Sequence, residues 1–189
     1  MRAEKVGRIS CFLAAAALGV AGCERYGFSD RVLWRLPSAD GRMVAVCQEV
    51  PQFDGPNYAL RLERPDGSLL RTLLDMGDGD PCSEIAWSPD GRTLAVLSNH
   101  VARIRVVDVE AAMHDRSDAR SSPSAQFDFS GERQFTFAKG LRFVSPSVVE
   151  LQLCPYSLAA RQRTGKFECT APPVPRRVTV LPHCCHLAL

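Results

Sequence analysis

Apolar and polar positions alternate in short runs separated by turn signals, and no stretch carries a sustained helical period, so the pattern predicts an all-β chain with antiparallel strands. The clearest unit runs from Glu84 through Ile85, Trp87 and Ser88-Pro89-Asp90-Gly91 to the apolar segment ending at Leu97. A second apolar run follows it from Arg103 to Val109. Within the turn, Pro89 presets φ, Asp90 can accept from the turn backbone, and Gly91 can take positive φ, which together join two strands tightly. A weaker copy lies upstream, where Ala39-Asp40-Gly41-Arg42 and the run to Val46 align with Pro89-Asp90-Gly91-Arg92 and the run to Val96 at a spacing of 50 residues; Tyr58 to Glu63 then takes the place of the later strand. In a third, fainter copy, Leu141 to Ser147 keeps Ser145-Pro146, loses the Asp-Gly, and leads into Val148 to Leu153.

The Glu84–Val109 unit resembles a blade of the WD40-like repeat of TolB-type β-propellers, through Trp87, Ser88, Pro89, Asp90, Gly91 and Asp108. Periods of about 40 to 50 residues are those of propeller blades. The resemblance implies an incomplete β-propeller-like array of about three blades over residues 33–189, closed on itself by the cysteine-rich C-terminal segment. Propellers typically need at least four blades to close a ring. A β-sandwich built from the same hairpins is the alternative, as is an array completed by a partner. Residues 114–124 read as an exposed loop. Phe127, Phe129, Phe135 and Phe137 flank Ser130-Gly131-Glu132 in a pattern that predicts one hairpin with four rings on one face, destined for the core.

At the N-terminus, Arg2, Lys5 and Arg8 precede an apolar run from Cys11 to Val20, which is too short to cross a hydrocarbon core needing roughly 20 helical residues. Val20-Ala21-Gly22-Cys23 resembles the bacterial lipobox. The resemblance implies a signal peptide over residues 1–22, removal of that segment, and acylation (palmitate included) of Cys23 at the head of a tether over residues 23–32. At about 0.8 kcal/mol per buried CH₂, three acyl chains would hold the protein on a membrane essentially permanently. Ordinary cleavage after an alanine-rich run, or an uncleaved anchor, are the alternatives. Glu24, where an Asp often marks inner-membrane retention in that family, favours the outer membrane over the inner.

Removing residues 1–22 takes three basic residues and one acidic residue from a chain of net charge +2, leaving 0. A neutral mature surface lacks the footprint of a nucleic-acid binder. The charge is uneven: residues 49–90 hold nine acidic and three basic groups, while residues 116–189 hold ten basic and five acidic. Such a split is read either as a polarised binding surface or as solvated loops.

Six cysteines remain in the mature chain: Cys47, Cys82, Cys154, Cys169, Cys184 and Cys185. In an exported protein an even number implies a disulfide framework. Cys47–Cys82 is the first expectation, as a staple between neighbouring blades. A bond between the adjacent Cys184 and Cys185 would be strained, so the preferred arrangement gives each a partner in Cys154 or Cys169. The His183-Cys184-Cys185-His186 run lacks a Cys-x₂-Cys framework elsewhere, and Asp75, Asp78, Asp80 and Glu84 do not follow EF-hand spacing, so neither metal nor cofactor is expected. No nucleophile elbow, zinc-protease helix or phosphate loop is present, and none of the four histidines sits beside an evident nucleophile. The expectation is a non-enzymatic lipoprotein facing the periplasm that binds a protein partner of the cell envelope. The alternative is an inhibitor or immunity lipoprotein acting on a lytic enzyme or toxin.

Overall fold

The computed structural model describes residues 30–52, 55–78, 80–98, 102–115, 123–129 and 136–180. Its strands are β1 (Arg31–Pro37), β2 (Val44–Gln52), β3 (Gly55–Glu63), β4 (Leu69–Asp78), β5 (Cys82–Trp87), β6 (Thr93–Ser98), β7 (Arg103–Asp108), β8 (Ala125–Asp128), β9 (Thr136–Ser145), β10 (Val148–Pro155) and β11 (Val174–Thr179). Two short helices, α1 (Val109–His114) and α2 (Leu158–Thr164), interrupt them. Each sheet is an antiparallel meander of consecutive strands: β1 to β4, β5 to β8, and β9 to β11. Over the described residues the chain is therefore all-β, an array of three blade-like units, and the segment from residue 181 on, expected to close it, lies outside them.

The middle sheet explains why the array holds together. Successive side chains of a strand point to opposite faces. Leu94 and Val96 of β6 accordingly enter one core with Ala45, Cys47, Leu60, Leu62 and Leu73 of the first sheet. Ala95 and Leu97 enter a second core with Val149, Leu151 and Leu153 of the third. The continuous apolar run Leu94 to Leu97 is thus buried on both faces. The opening strands of the units also pack in sequence, with β5 lying between β1 and β9.

Among the described residues, the first and third sheets share no apolar cluster. Their outer faces carry ion pairs instead. On the first, Val46 stands between Arg35 and Arg61 in register. There Arg35 reaches Glu63 at 2.9 Å, and Arg61 reaches Asp30 at 3.5 Å. On the third, Arg142 and Arg177 flank Glu150. Polar outer faces are what terminal units of a repeat array require for solubility.

The two Asp-Gly turns superpose in chemistry as well as in sequence. Ser88 Oγ donates to Asp90 at 2.6 Å and accepts from the Thr93 amide at 2.9 Å, while Asp90 also accepts from the Arg92 amide at 3.2 Å. Ser38, Asp40, Arg42 and Met43 repeat these bonds at 2.7, 3.1 and 3.1 Å. The repeat therefore begins one residue earlier than the Ala39 alignment. Gly41 and Gly91 take φ of 69° and 70°, the left-handed region that a Cβ disfavours. The serine hydroxyl is the main cause that holds each aspartate below the usual carboxylate range. A depressed carboxyl stabilises the fold at neutral pH, and that contribution fades as pH falls through the lowered value. The third unit turns at Pro146-Ser147 in a two-residue loop, with Val148 paired to Ser145.

Two disulfides are present. Cys47–Cys82 staples β2 to the start of β5, with Cα atoms 6.2 Å apart. Cys154 pairs with Cys169 at a Cα separation of 5.1 Å, which corrects the arrangement that joined each of them to Cys184 or Cys185. The reason is a fold-back: after α2 the chain returns to the end of β10, where the Thr170 amide and hydroxyl both donate to the Pro155 carbonyl at 2.8 and 3.0 Å. Cys184 and Cys185 lie outside the described residues, as does Cys23. The phenylalanine hairpin also needs correction. Strand β8, with Phe127, pairs with β7, whereas β9, with Phe137, pairs with β10. The rings therefore belong to two sheets; Phe129 and Phe137 are buried, and Phe135 lies outside the described residues.

Candidate functional site

The residues that carry the blade resemblance are occupied by architecture. Trp87 lies half-buried against the first core, and its indole N–H donates to the Leu36 carbonyl of β1 at 3.1 Å, bridging two sheets. Ser88, Pro89, Asp90 and Gly91 form the turn. Asp108 ends β7 and caps α1, accepting from the Ala111 amide at 2.9 Å. A second bridge, which the sequence pattern does not announce, comes from Glu84 of β5. Its carboxylate accepts from the amides of Gly140 and Leu141 in β9 at 3.0 and 2.7 Å, and Gly140, at φ 68°, aims both donors at it. Replacing Glu84 by alanine leaves two strand amides without their charged acceptor, and is expected to lower stability by about 2 kcal/mol in urea denaturation.

The acidic run of residues 49–90 does not form a face. Asp66 accepts from the Ser68 amide at 2.8 Å, and Asp75 from the Gly77 amide at 3.2 Å. Asp80 is buried against Arg105 and Arg103, the latter at 3.2 Å. With Glu63, Glu84 and Asp90 already placed, six of its nine carboxylates serve turns, ion pairs or bridges. Asp75, Asp80 and Glu84 are therefore turned to different partners instead of converging on a cation. Among the described residues, His114 is exposed at the end of α1. His100, His183 and His186 lie outside them.

The basic surplus survives folding. Residues 136–180 carry Lys139, Arg142, Arg161, Arg163, Lys166, Arg176 and Arg177 against Glu150 and Glu168, a net charge of +5. Glu150 is held between Arg142 and Arg177, at 3.0 and 2.7 Å. The Arg142 guanidinium first, then that of Arg177, lowers the Glu150 carboxyl. Beside this row, α2 sits on a rigid aromatic seat. Phe137, Tyr156 and Phe167 contact one another with ring centroids 5.0 to 6.1 Å apart, and Arg161 lies over the Phe167 ring at 4.2 Å. The Cys154–Cys169 bond locks the same segment. Arg163 and Lys166 project from it into solvent. This cationic platform is the candidate interaction site. Sequence reasoning found its charge, but not the seat that orders it, because Phe137, Tyr156 and Phe167 belong to no single periodic run.

No protein-family model matches the sequence, and neither does any curated protein. Similarity to solved structures is confined to three dimensions. Kluyveromyces lactis Hsv2 aligns over 68% of this chain and 43% of its own, at 19% identity and a TM-score of 0.43. KlAtg21, in a complex with the coiled coil of AgAtg16, aligns over 74% and 43%, at 17% identity and a TM-score of 0.48. The apo AtxE2 isopeptidase aligns over 78% and 28%, at 15% identity and a TM-score of 0.43. The chain thus spans less than half the length of each. Likeness at this level assigns neither activity nor partner, and the fold class rests on the strand order and register given above.

Proposed function

We propose that the chain is a lipoprotein anchored through Cys23 to the outer membrane of a bacterial cell envelope, facing the periplasm, where it acts as a protein-binding module and not as an enzyme. The observation that carries this reading is the exposed pair Arg163 and Lys166 of the third unit, mounted on an aromatic and disulfide-locked seat. Rigid platforms bind without losing much entropy on ordering, and arginine is enriched where protein interfaces form. The remaining polar side chains of the blade motif support the reading in a negative way, since their hydrogen bonds are engaged within turns and between sheets.

A photo-crosslinking side chain at position 163, compared with one at the exposed Arg42 of the first unit, tests it in cells. The expected result is a discrete protein adduct from position 163 alone, lost when Lys166 is also replaced by glutamate. Equal labelling from both positions, or none, would overturn the assignment. An adduct that proves to be a lytic enzyme inactivated at equimolar ratio would move the reading to inhibition. Cys23→Ala is expected to shift the protein from the membrane to the soluble periplasmic fraction without unfolding it, as read by fractionation and circular dichroism.

A further inference from the structure

We infer that β1 is the face on which the domain rests against the lipid leaflet that holds its own anchor. The inference depends on acylation of Cys23 and adds a second, non-covalent contact to it. Seven residues separate Cys23 from Arg31. At no more than about 3.5 Å per residue, the start of β1 lies within about 28 Å of the acylated sulfur even at full extension. The tether therefore keeps the start of β1 within reach of the leaflet surface.

The strand is suited to that neighbourhood. It is an edge strand, bonded only to β2 within its sheet. Val32 is 51% exposed and Trp34 is 44% exposed, an unusual pair on a strand whose other apolar residues, Leu33 and Leu36, turn into the first core. The register sets Val32 opposite Gln48 and Trp34 opposite the neighbouring Cys47, with Leu33 as a bulge between them, so the two side chains flank the strand edge on its two faces. Tryptophan favours the headgroup level, where its ring is apolar and its N–H is wet. Arg31 and Arg35 are exposed on either side, Arg31 opposite Glu49 in register and Arg35 paired with Glu63, so the strand carries balanced charge and meets the leaflet through its apolar side chains. Asp30 accepts from Gln48 and pairs with Arg61. A protein partner would use the same composition, but the short reach from Cys23 places the leaflet first.

The test uses the two tryptophans. The lipidated full-length protein is reconstituted in vesicles of phosphatidylethanolamine and phosphatidylglycerol whose acyl chains are either plain or dibrominated, and indole emission is compared. The expected result is a loss of emission in the brominated vesicles that disappears in Trp34→Phe, while Trp87, packed between sheets, contributes the unquenched remainder. Mass spectrometry of the N-terminal peptide from the same sample reads acylation. An acylated Cys23 with no quenching overturns the seating of β1 and leaves the lipoprotein reading intact. An unmodified Cys23 overturns both.

Discussion

Replacing Cys47 and Cys82 together by alanine is expected to remove about 4 kcal/mol of stability, read as a fall in the urea midpoint with the Cys154–Cys169 bond intact. The Cys47–Cys82 bond closes 35 residues, and the entropy a cross-link removes from the unfolded chain grows with the logarithm of that length; about 3 kcal/mol follows for a loop of 15 residues and about 4.7 for one of 100. The second bond spans 15 residues, so its loss is expected to cost about 3 kcal/mol, the smaller of the two. The staple also sits where strain would matter. Cys47 is fully buried on β2, Cys82 is nearly so at the head of β5, and both belong to the core between the first and second sheets. Domains are typically stable by about 5 to 15 kcal/mol, so a loss of this size leaves a marginal fold. A change below about 1 kcal/mol would mean that the sheets stay joined through their apolar contacts alone, against the loop-entropy argument.

The middle unit was the most legible part of the chain, because each local signal there agrees with its neighbours. Leu94 to Leu97 reads as a strand buried on both faces, Ser88 to Gly91 reads as its turn, and both readings require the same hairpin. The upstream copy was legible through Asp40-Gly41, although Ser38, which completes the turn chemistry, has no apolar pattern to flag it. The third hairpin was found without its turn type, since Pro146-Ser147 closes the loop in two residues without the Ser-x-Asp-Gly turn of the other two units. Helix α1 was missed because six residues hold less than two turns, too few for a 3.6-residue period to show. The phenylalanines illustrate a different limit. Alternation at period two tells which side chains share a face but not which strand lies alongside, and here the chain leaves the second sheet between Phe129 and Phe137 to start the third.

The charge pattern divided for a chemical reason. A β-meander needs acceptors at its turns, because exposed backbone amides there have no strand to bond, and aspartate supplies an oxygen at the required distance. Asp40, Asp66, Asp75 and Asp90 are drawn into that role. Arginine and lysine offer donors only, so turns of this kind do not use them, and they stay on the surface or pair across strands. The acidic run therefore dissolves into the architecture of the first two units while the basic run of the third remains outward, without any selection of acidic residues for a face. Under the proposed anchoring, the first unit lies next to the leaflet and the third stands at the opposite side of the middle sheet, where a partner in the periplasm can reach it.

Trp87→Ala is expected to destabilise the fold by about 3 kcal/mol, at the lower end for removal of a large aromatic because the ring is half-buried. Two losses combine. The ring leaves a gap against the first core beside Leu36, and the Leu36 carbonyl loses the donor that tied β1 to β5 at 3.1 Å. Trp87→Phe separates them, since it keeps most of the packing and removes only the indole donor, which is expected to cost about 1 kcal/mol. Trp34→Ala supplies the contrast on the same sheet pair. Its ring is exposed and outside both cores, so in the soluble Cys23→Ala protein its removal should change stability by no more than about 0.5 kcal/mol. The ordering of the three losses in urea denaturation is the decisive reading. If Trp87→Ala fell no further than Trp34→Ala, the bridge from Trp87 to Leu36 would not be what holds the first unit against the second, and the junction would rest on the shared apolar core and the Cys47–Cys82 bond.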